Sequence, residues 1–406
     1  MFRLSGVVQH YNWGGSSFIP SLIGFQNIEG KPCAEYWMGA HSKAPSIVVK
    51  SNNAAITLDK WIEEAPSLIL GEKVYQQFGS LPYLLKVLDV KDMLSIQVHP
   101  SKTAAKLGFE AEESAGVPIE APHRNYKDKN HKPELMYALS EFWLLHGFKS
   151  IQKIKNSIAN NVELFSLQPY LENGGFKAVY EYVMQLPQSE VNSILKPLID
   201  RILPLYEQGQ LTKDQEAFWA ARAYKTFCTP NWYDRGLFSI YLFNIVHLNP
   251  GEAIFQGQGM LHAYLEGQNI ELMANSDNVL RGGLTNKHID VEELLKHVVF
   301  DETLPRVLST HKDVQSGETV YETPAEDFEL RSLALELGDQ ANVISYTVEI
   351  WIIIKGLVEL EGLTGSNHLN KGQCFLTAAN ERITIRAKEP SLLFKATVPY
   401  SQPVNK

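Results

Sequence analysis

Two neighbouring segments, YLLKVLDV (Tyr83 to Val90) and MLSIQVH (Met93 to His99), constrain the fold of this chain more than any other feature. Both read as β-strands, with Lys91-Asp92 as the turn between them. In the second, Met93, Ser95, Gln97 and His99 fall on one face and Leu94, Ile96 and Val98 on the other. A strand with one apolar face and one Ser/Gln/His face predicts a barrel wall. Its polar side lines a cavity and its apolar side packs against a second layer. Lys86 interrupts the first strand on the face of Leu84, Leu88 and Val90, where a lysine either snorkels to solvent or points into a cavity.

Between about Lys149 and Phe227 the period changes. Val191, Ile194, Leu195, Leu198, Ile199 and Ile202 recur at three- and four-residue steps, which predicts a helix that Pro197 and Pro204 kink or end. Gln215 to Phe227 gives another amphipathic stretch. Strands are expected again over Leu237 to Phe255, then a short helix over Val291 to Val299. The tail, with SYTVEIWIIIKG, CFLTAA, RITIRA and SLLFKATV between Gly-, Asn- and Pro-bearing turns, predicts a small sandwich or jelly roll. The expected organisation is mainly β with a helical insertion. One β-rich domain spans 1–148 and 228–318, the helical subdomain 149–227 and a jelly-roll-like β domain 319–406.

Charge and cysteine usage narrow the function classes. The net charge of −9 argues against a nucleic-acid partner, because phosphate-backbone affinity needs a basic surface. It leaves room for an anionic small molecule, since a few local cations in a pocket can bind a phosphate. No apolar run is long enough to span a bilayer, and the N-terminal MFRLSGVVQHYNWGG lacks the apolar core of a secretory signal. Cys33, Cys228 and Cys374 lie far apart without CxxC spacing, which fits a reducing cytoplasm.

The densest chemistry lies in HAYLEGQNIELMANSDNVLRGGLTNK, His262 to Lys287, where a histidine, carboxylates and an arginine sit on Gly-punctuated chain. Gln97 and His99, two apart on one strand face, make a plausible half-site for a divalent metal, although such pairs are more often hydrogen-bonded strand surface. Glu134 follows Pro133, which stiffens its approach. His262 closes Gly251-x5-Gly257-x-Gly259-x2-His262. This resembles the second cupin motif, with Gly257 where cupins usually carry proline. Glu134 comes thirty-five residues after His99, too far for the first cupin motif in its usual form. If NIELMANSD is extended, Glu271, Met273, Asn275 and Asp277 share a face, and a partly desolvated Glu271 would have its pKa raised. Arg281 has a bland alternative, a surface pair with Asp277.

The His262–Lys287 segment, YKDKNHKPE (Tyr126 to Glu134), QHYNWGG (Gln9 to Gly15), AEYWMGAH (Ala34 to His41) and LPYLLKVLDVKDMLSIQVHPSK together resemble the blocks of the type I mannose-6-phosphate isomerase family, in the family's order. The resemblance implies a cupin-like catalytic domain holding one zinc through Gln97, His99, Glu134 and His262. It implies an aldose–ketose isomerase acting on mannose 6-phosphate and fructose 6-phosphate through an enediol. Such an enzyme links glycolysis to GDP-mannose synthesis. The resemblance also places Arg281 in the activity and Lys86 in the pocket. Its candidates for the base are Glu271, His131 with Lys132, and Asp277. Lys86, Ser95, Lys132 and Arg281 are the expected substrate contacts, and a monomer is expected. The chain departs from the family's RAGLTPK by reading RGGLTNK, with Gly282 and Asn286, which puts rate or preference in question rather than reaction class. Two other readings compete. A cupin-like iron oxygenase would consume oxygen, and a non-catalytic sugar-phosphate binder would hold ligand without turnover.

Overall fold

Tyr83–Val90 forms a strand buried along its whole length, flanked antiparallel by Glu35–Gly39 on one side and by His262–Ala274 on the other. The computed structural model to which it belongs describes residues 1–50, 54–362 and 365–400. The thirteen-residue His262–Ala274 strand organises the site. Its first part pairs with Phe142–Phe148 and Ile96–Val98, its second with Tyr83–Val90 and Glu134–Ala138. The change of partners coincides with a register shift between Tyr264 and Glu266. Gly267 follows at φ 130°, and a Cβ there would lie 2.6 Å from the Glu141 carbonyl. Only glycine lets the strand turn there from one wall to the next, which curves the sheet towards a barrel. The sheets fit a cupin-like β fold.

Several elements differ from expectation for identifiable reasons. The expected Met93–His99 strand is reduced to Ile96–Val98, and Met93 is buried among apolar residues instead of lining the cavity face. The helix Gln188–Glu207 runs through both Pro197 and Pro204. Both prolines lie on its exposed face, where water can hydrate the carbonyls they leave unpaired, while Val191, Leu195, Leu198, Ile199 and Ile202 stay buried opposite. Residues Gly236–Leu242, expected to start a strand, form a helix buried on every side; strands follow at Phe243–Leu248 and Ala253–Gln256. A run buried all round carries no period to separate helix from strand.

The C-terminal strands pair into a nine-stranded sheet and a four-stranded one. The larger sheet recruits the start of the chain. Phe2–Ser5 pairs with Cys374–Thr377, with Phe2 opposite Leu376, and Ile47–Val49 and Ala55–Thr57 extend the edge. These three strands lie across the boundary expected at residue 319. One apolar core joins Leu4, Leu85 and Leu272 to Ile350, Ile352 and Phe394. No helix among the described residues is long and apolar enough to cross a membrane.

Candidate active site

Two loops that sequence marks as dense in polar residues are hydrogen-bonded to each other. Asn278, fully buried, accepts from the Lys127 backbone N–H at 2.7 Å and donates to the Asp128 and Asn130 carbonyls at 2.8 Å each. In return Asp128 accepts from the Ser276 hydroxyl at 2.9 Å and the Asp277 N–H at 2.8 Å. This clasp fixes the segment leading to Glu134 against the one leading to Arg281. It also holds the Asn278 carbonyl where His99 Nδ1 meets it at 2.8 Å.

His99, Glu134 and His262 converge, all buried, with one candidate ligand atom from each within 4.8 Å of the others. His262 Nδ1 meets the Met260 carbonyl at 2.9 Å. With both Nδ1 atoms donating to carbonyls, each ring aims an Nε2 lone pair at the Glu134 carboxylate, 3.3 Å away for His99 and 3.2 Å for His262. Burial pulls the His99 imidazolium down to about 4, so the ring is neutral at pH 7. Its Nε2 has no hydrogen-bond partner. Lone pairs pointed at a carboxylate are satisfied by a cation between them, so the donor set fits a divalent metal of zinc's kind. Gln97 stands opposite His262 on one side and opposite Arg281 on the other. Cross-strand neighbours share a face, which puts Gln97 beside His262. Lys132 Nζ lies 2.8 Å from Glu134 Oε1. Burial opposes it, but Lys132 and His99 hold the Glu134 carboxyl well below the usual range.

A second buried group adjoins the first. Lys86 Nζ lies 2.8 Å from Glu271 and 3.3 Å from Glu35, and Glu35 accepts from the Trp37 indole at 2.5 Å. Burial alone would lower the Lys86 pKa, but Glu271 and Glu35 outweigh it and hold the ammonium above the usual lysine range. Burial likewise raises Glu271, against the pull of Lys86, with Glu134 and Glu35 adding repulsion. The carboxylates around Lys86 outnumber it, and their repulsion adds to the burial that raises Glu271. Glu35 and Trp37 are not among the residues that sequence reasoning places in the site. The signal exists, since Glu35 breaks an apolar strand as Lys86 does.

The other expected residues are spread around these two groups. Asp277 is tied to Lys43 at 2.7 Å and His41 at 3.4 Å. Burial works against ionisation there, yet His41 and Lys43 hold its carboxyl well below the ordinary range. His131 Nε2 pairs with the buried Asp327 at 2.7 Å, a partner from the C-terminal part of the chain. Ser95 and Arg281 are half-buried, and among the described residues no side-chain hydrogen bond or ion pair reaches the Arg281 guanidinium. His146, buried opposite His262 in register, is a further imidazole that sequence reasoning missed. Gly282 also gains a reason. A Cβ there would lie 2.6 Å from the Tyr180 hydroxyl, so in this chain tyrosine fills the space an alanine would take.

The chain resembles known proteins along most of its length. The family model for the phosphomannose isomerase type I catalytic domain matches residues 1–151. Mannose-6-phosphate isomerase of Escherichia coli strain K12 is 37% identical over 389 residues, which cover 94% of this chain and 95% of that protein. The Rattus norvegicus mannose-6-phosphate isomerase is 32% identical over 436 residues, covering 98% of each. A crystal structure of mannose 6-phosphate isomerase from Salmonella typhimurium, bound to its substrate fructose 6-phosphate and to zinc, superposes with a TM-score of 0.88. That match has 32% identity and covers 98% of this chain and all of that one.

Proposed function

The chain belongs to the type I mannose-6-phosphate isomerase family, and from that premise we infer how its own residues divide the work. It is a zinc-dependent isomerase that interconverts D-mannose 6-phosphate and D-fructose 6-phosphate through an enediol. The observation that carries this reading is the buried His99–Glu134–His262 group, whose imidazoles are already oriented by backbone carbonyls. Gln97 completes the donor set in our proposal. Bound there, zinc supplies Lewis-acid polarisation of the substrate's oxygens.

The remaining tasks fall to side chains. An enediol step needs a group that takes a carbon-bound proton and returns it to the neighbouring carbon. We assign it to Glu271. Its raised pKa makes it a stronger base than a free carboxylate, and Lys86 holds its carboxylate in place. Asp277 is held too far down by Lys43 and His41 to serve as well. Arg281, with no ion-pair partner among the described residues, is the cation available for the substrate's anionic charge. Lys86 is already paired with Glu271 and Glu35, so its part is to set the charge of Glu271. His131 is the proposed ring-opening group, with its Nε2 held by Asp327 and its Nδ1 left for proton exchange. A monomer in the cytoplasm completes the proposal, and the three free cysteines agree with that compartment.

Turnover of mannose 6-phosphate before chelation, after it and after zinc is restored tests the reading. Activity should vanish with the metal and return with zinc. Full activity in protein verified to be metal-free would overturn it.

A further inference from the structure

The Lys86 group recurs elsewhere in the molecule. In the catalytic barrel, Glu35-Tyr36-Trp37 runs antiparallel to the strand carrying Lys86, with Trp37 directly opposite Lys86. In the C-terminal part, Glu349-Ile350-Trp351 runs antiparallel to the strand carrying Lys395, with Trp351 directly opposite Lys395. The contacts match as well as the register. Each tryptophan indole donates to the glutamate two residues before it, at 2.5 Å for Glu35 and 3.1 Å for Glu349. Each ammonium lies over the tryptophan ring, at 5.2 Å and 4.9 Å from its centroid. Each pairs with that glutamate, at 3.3 Å and 3.1 Å. Each also pairs with a second buried glutamate, Glu271 at 2.8 Å and Glu318 at 2.7 Å. Lys395, Glu318 and Glu349 are 3%, 1% and 3% exposed.

A buried ion cluster is a poor source of stability, because the desolvation cost offsets most of the attraction. This one borders a cavity of about 510 Å³, whose walls include Lys395, Glu318, Glu349, Thr347, Thr397 and Arg331. Concave, walled by a few converging polar groups, the cavity has the character of a small-molecule site.

The differences between the two copies define the ligand. Among the described residues the only grouping with metal-ligand geometry is His99–Glu134–His262, so the second copy has no metal centre to polarise a carbonyl. Its charged wall holds Glu318, Glu349 and Asp313 against Lys395, Arg331 and Lys312, with His311 beside them. With its carboxylates matched by as many cations, the wall carries no net positive field to hold a phosphate. Carboxylates and threonine hydroxyls facing one cavity accept from and donate to the hydroxyls of a neutral sugar, with the Lys395 ammonium as a further donor. We propose that the C-terminal barrel carries a second, non-catalytic site, centred on Lys395, Glu318 and Glu349, that binds a neutral monosaccharide or polyol.

The test uses the zinc-loaded full chain with its catalytic site saturated by fructose 6-phosphate. D-mannose is titrated in, and the indole N–H resonances of Trp351 and Trp37 are followed by NMR, each assigned from its Trp→Phe variant. A saturable shift of the Trp351 resonance, with Trp37 unmoved, is expected. Inorganic phosphate, titrated separately, should leave Trp351 in place. Glu349→Gln should weaken mannose binding at least about tenfold, the loss of a charge-assisted hydrogen bond. Thr347→Val, on the cavity wall with its hydroxyl bonded to Thr397 and not to the ion cluster, should weaken it too and stands in if Glu349→Gln fails to fold. No saturable Trp351 shift, a shift indifferent to both variants, or a response to phosphate in place of mannose would each overturn the proposal. The readout is Trp351 rather than turnover, so the outcome is independent of the isomerase reading.

Discussion

At the scale of single residues, environment separates side chains that sequence presents as equivalent. Glu271 and Asp277 lie six residues apart and both read as acid/base candidates. Glu271 is buried among carboxylates, which raises its pKa, while Asp277 is gripped by Lys43 and His41, which lower it. Glu271→Gln should therefore cut kcat by about 10²- to 10⁴-fold, with zinc content unchanged and KM little altered. A kcat within tenfold of the parent would move the proton-transfer role to another residue. For Asp277 the consequence is one of stability. Its folded pKa lies below the unfolded value of about 3.9. Its contribution is thus fully present above that pH and is lost as pH falls through the folded value. Asp277→Asn should lower Tm near pH 7, and the gap to the parent should shrink progressively below about pH 4. A gap that stays constant down to pH 3 would mean the pairs with Lys43 and His41 contribute nothing through charge. Lys86 is legible in the sequence because a lysine in an apolar strand must have a reason. Which residues it pairs with is not, since Glu35 and Glu271 lie on flanking strands far away in the chain and pairing register is not local information.

At the scale of elements, the site is held by loops more than by strands. The segment 126–134 and the segment 275–285 are long polar motifs because each satisfies the other's backbone through Asn278 and Asp128. Through the Asn278 carbonyl the same clasp sets the His99 ring. Asn278→Ala should weaken zinc affinity about 10- to 100-fold, as loss of an outer-shell partner does. The loss should appear in competition with a chelator, and unchanged affinity would show that the loop holds its shape without the clasp. The legibility of elements follows the same division between local and distant information. An alternating strand such as Arg382–Ala387 is readable because one face is buried and the other meets water along the chain's own pattern. Gly236–Leu242 is not, because its burial on all sides erases the helical period. The helix through Pro197 and Pro204 departs from expectation at those two positions because a proline's cost depends on whether its face meets water.

At the scale of the whole molecule, the three-part division expected from sequence order meets a structure whose hydrogen bonds and core run across it. Phe2–Ser5 is a strand of the C-terminal sheet, the Tyr83 hydroxyl lies 3.1 Å from the carbonyls of both Val348 and Ala396, and Asp327 holds His131 beside the metal ligands' own loop. Four residues at the N-terminus carry no local sign of such a distant partner, which is why this connection is not legible in the sequence. Leu330, Ile350, Ile352, Leu376 and Phe394 are all at most 1% exposed within a core shared with the catalytic barrel. At about 1.5–3 kcal/mol for each such side chain, these five account for roughly 8–15 kcal/mol. That is as large as the roughly 5–15 kcal/mol that separates folded from unfolded protein. The two β-rich parts should therefore unfold as one unit. Urea unfolding of the full chain should give coincident transitions whether followed at Trp37 or at Trp351, and removal of everything after Thr323 should leave no cooperatively folded remainder. Separate midpoints at the two tryptophans, or a truncated chain that melts cooperatively and still binds zinc, would show that the barrels are independent and that the shared core only joins them.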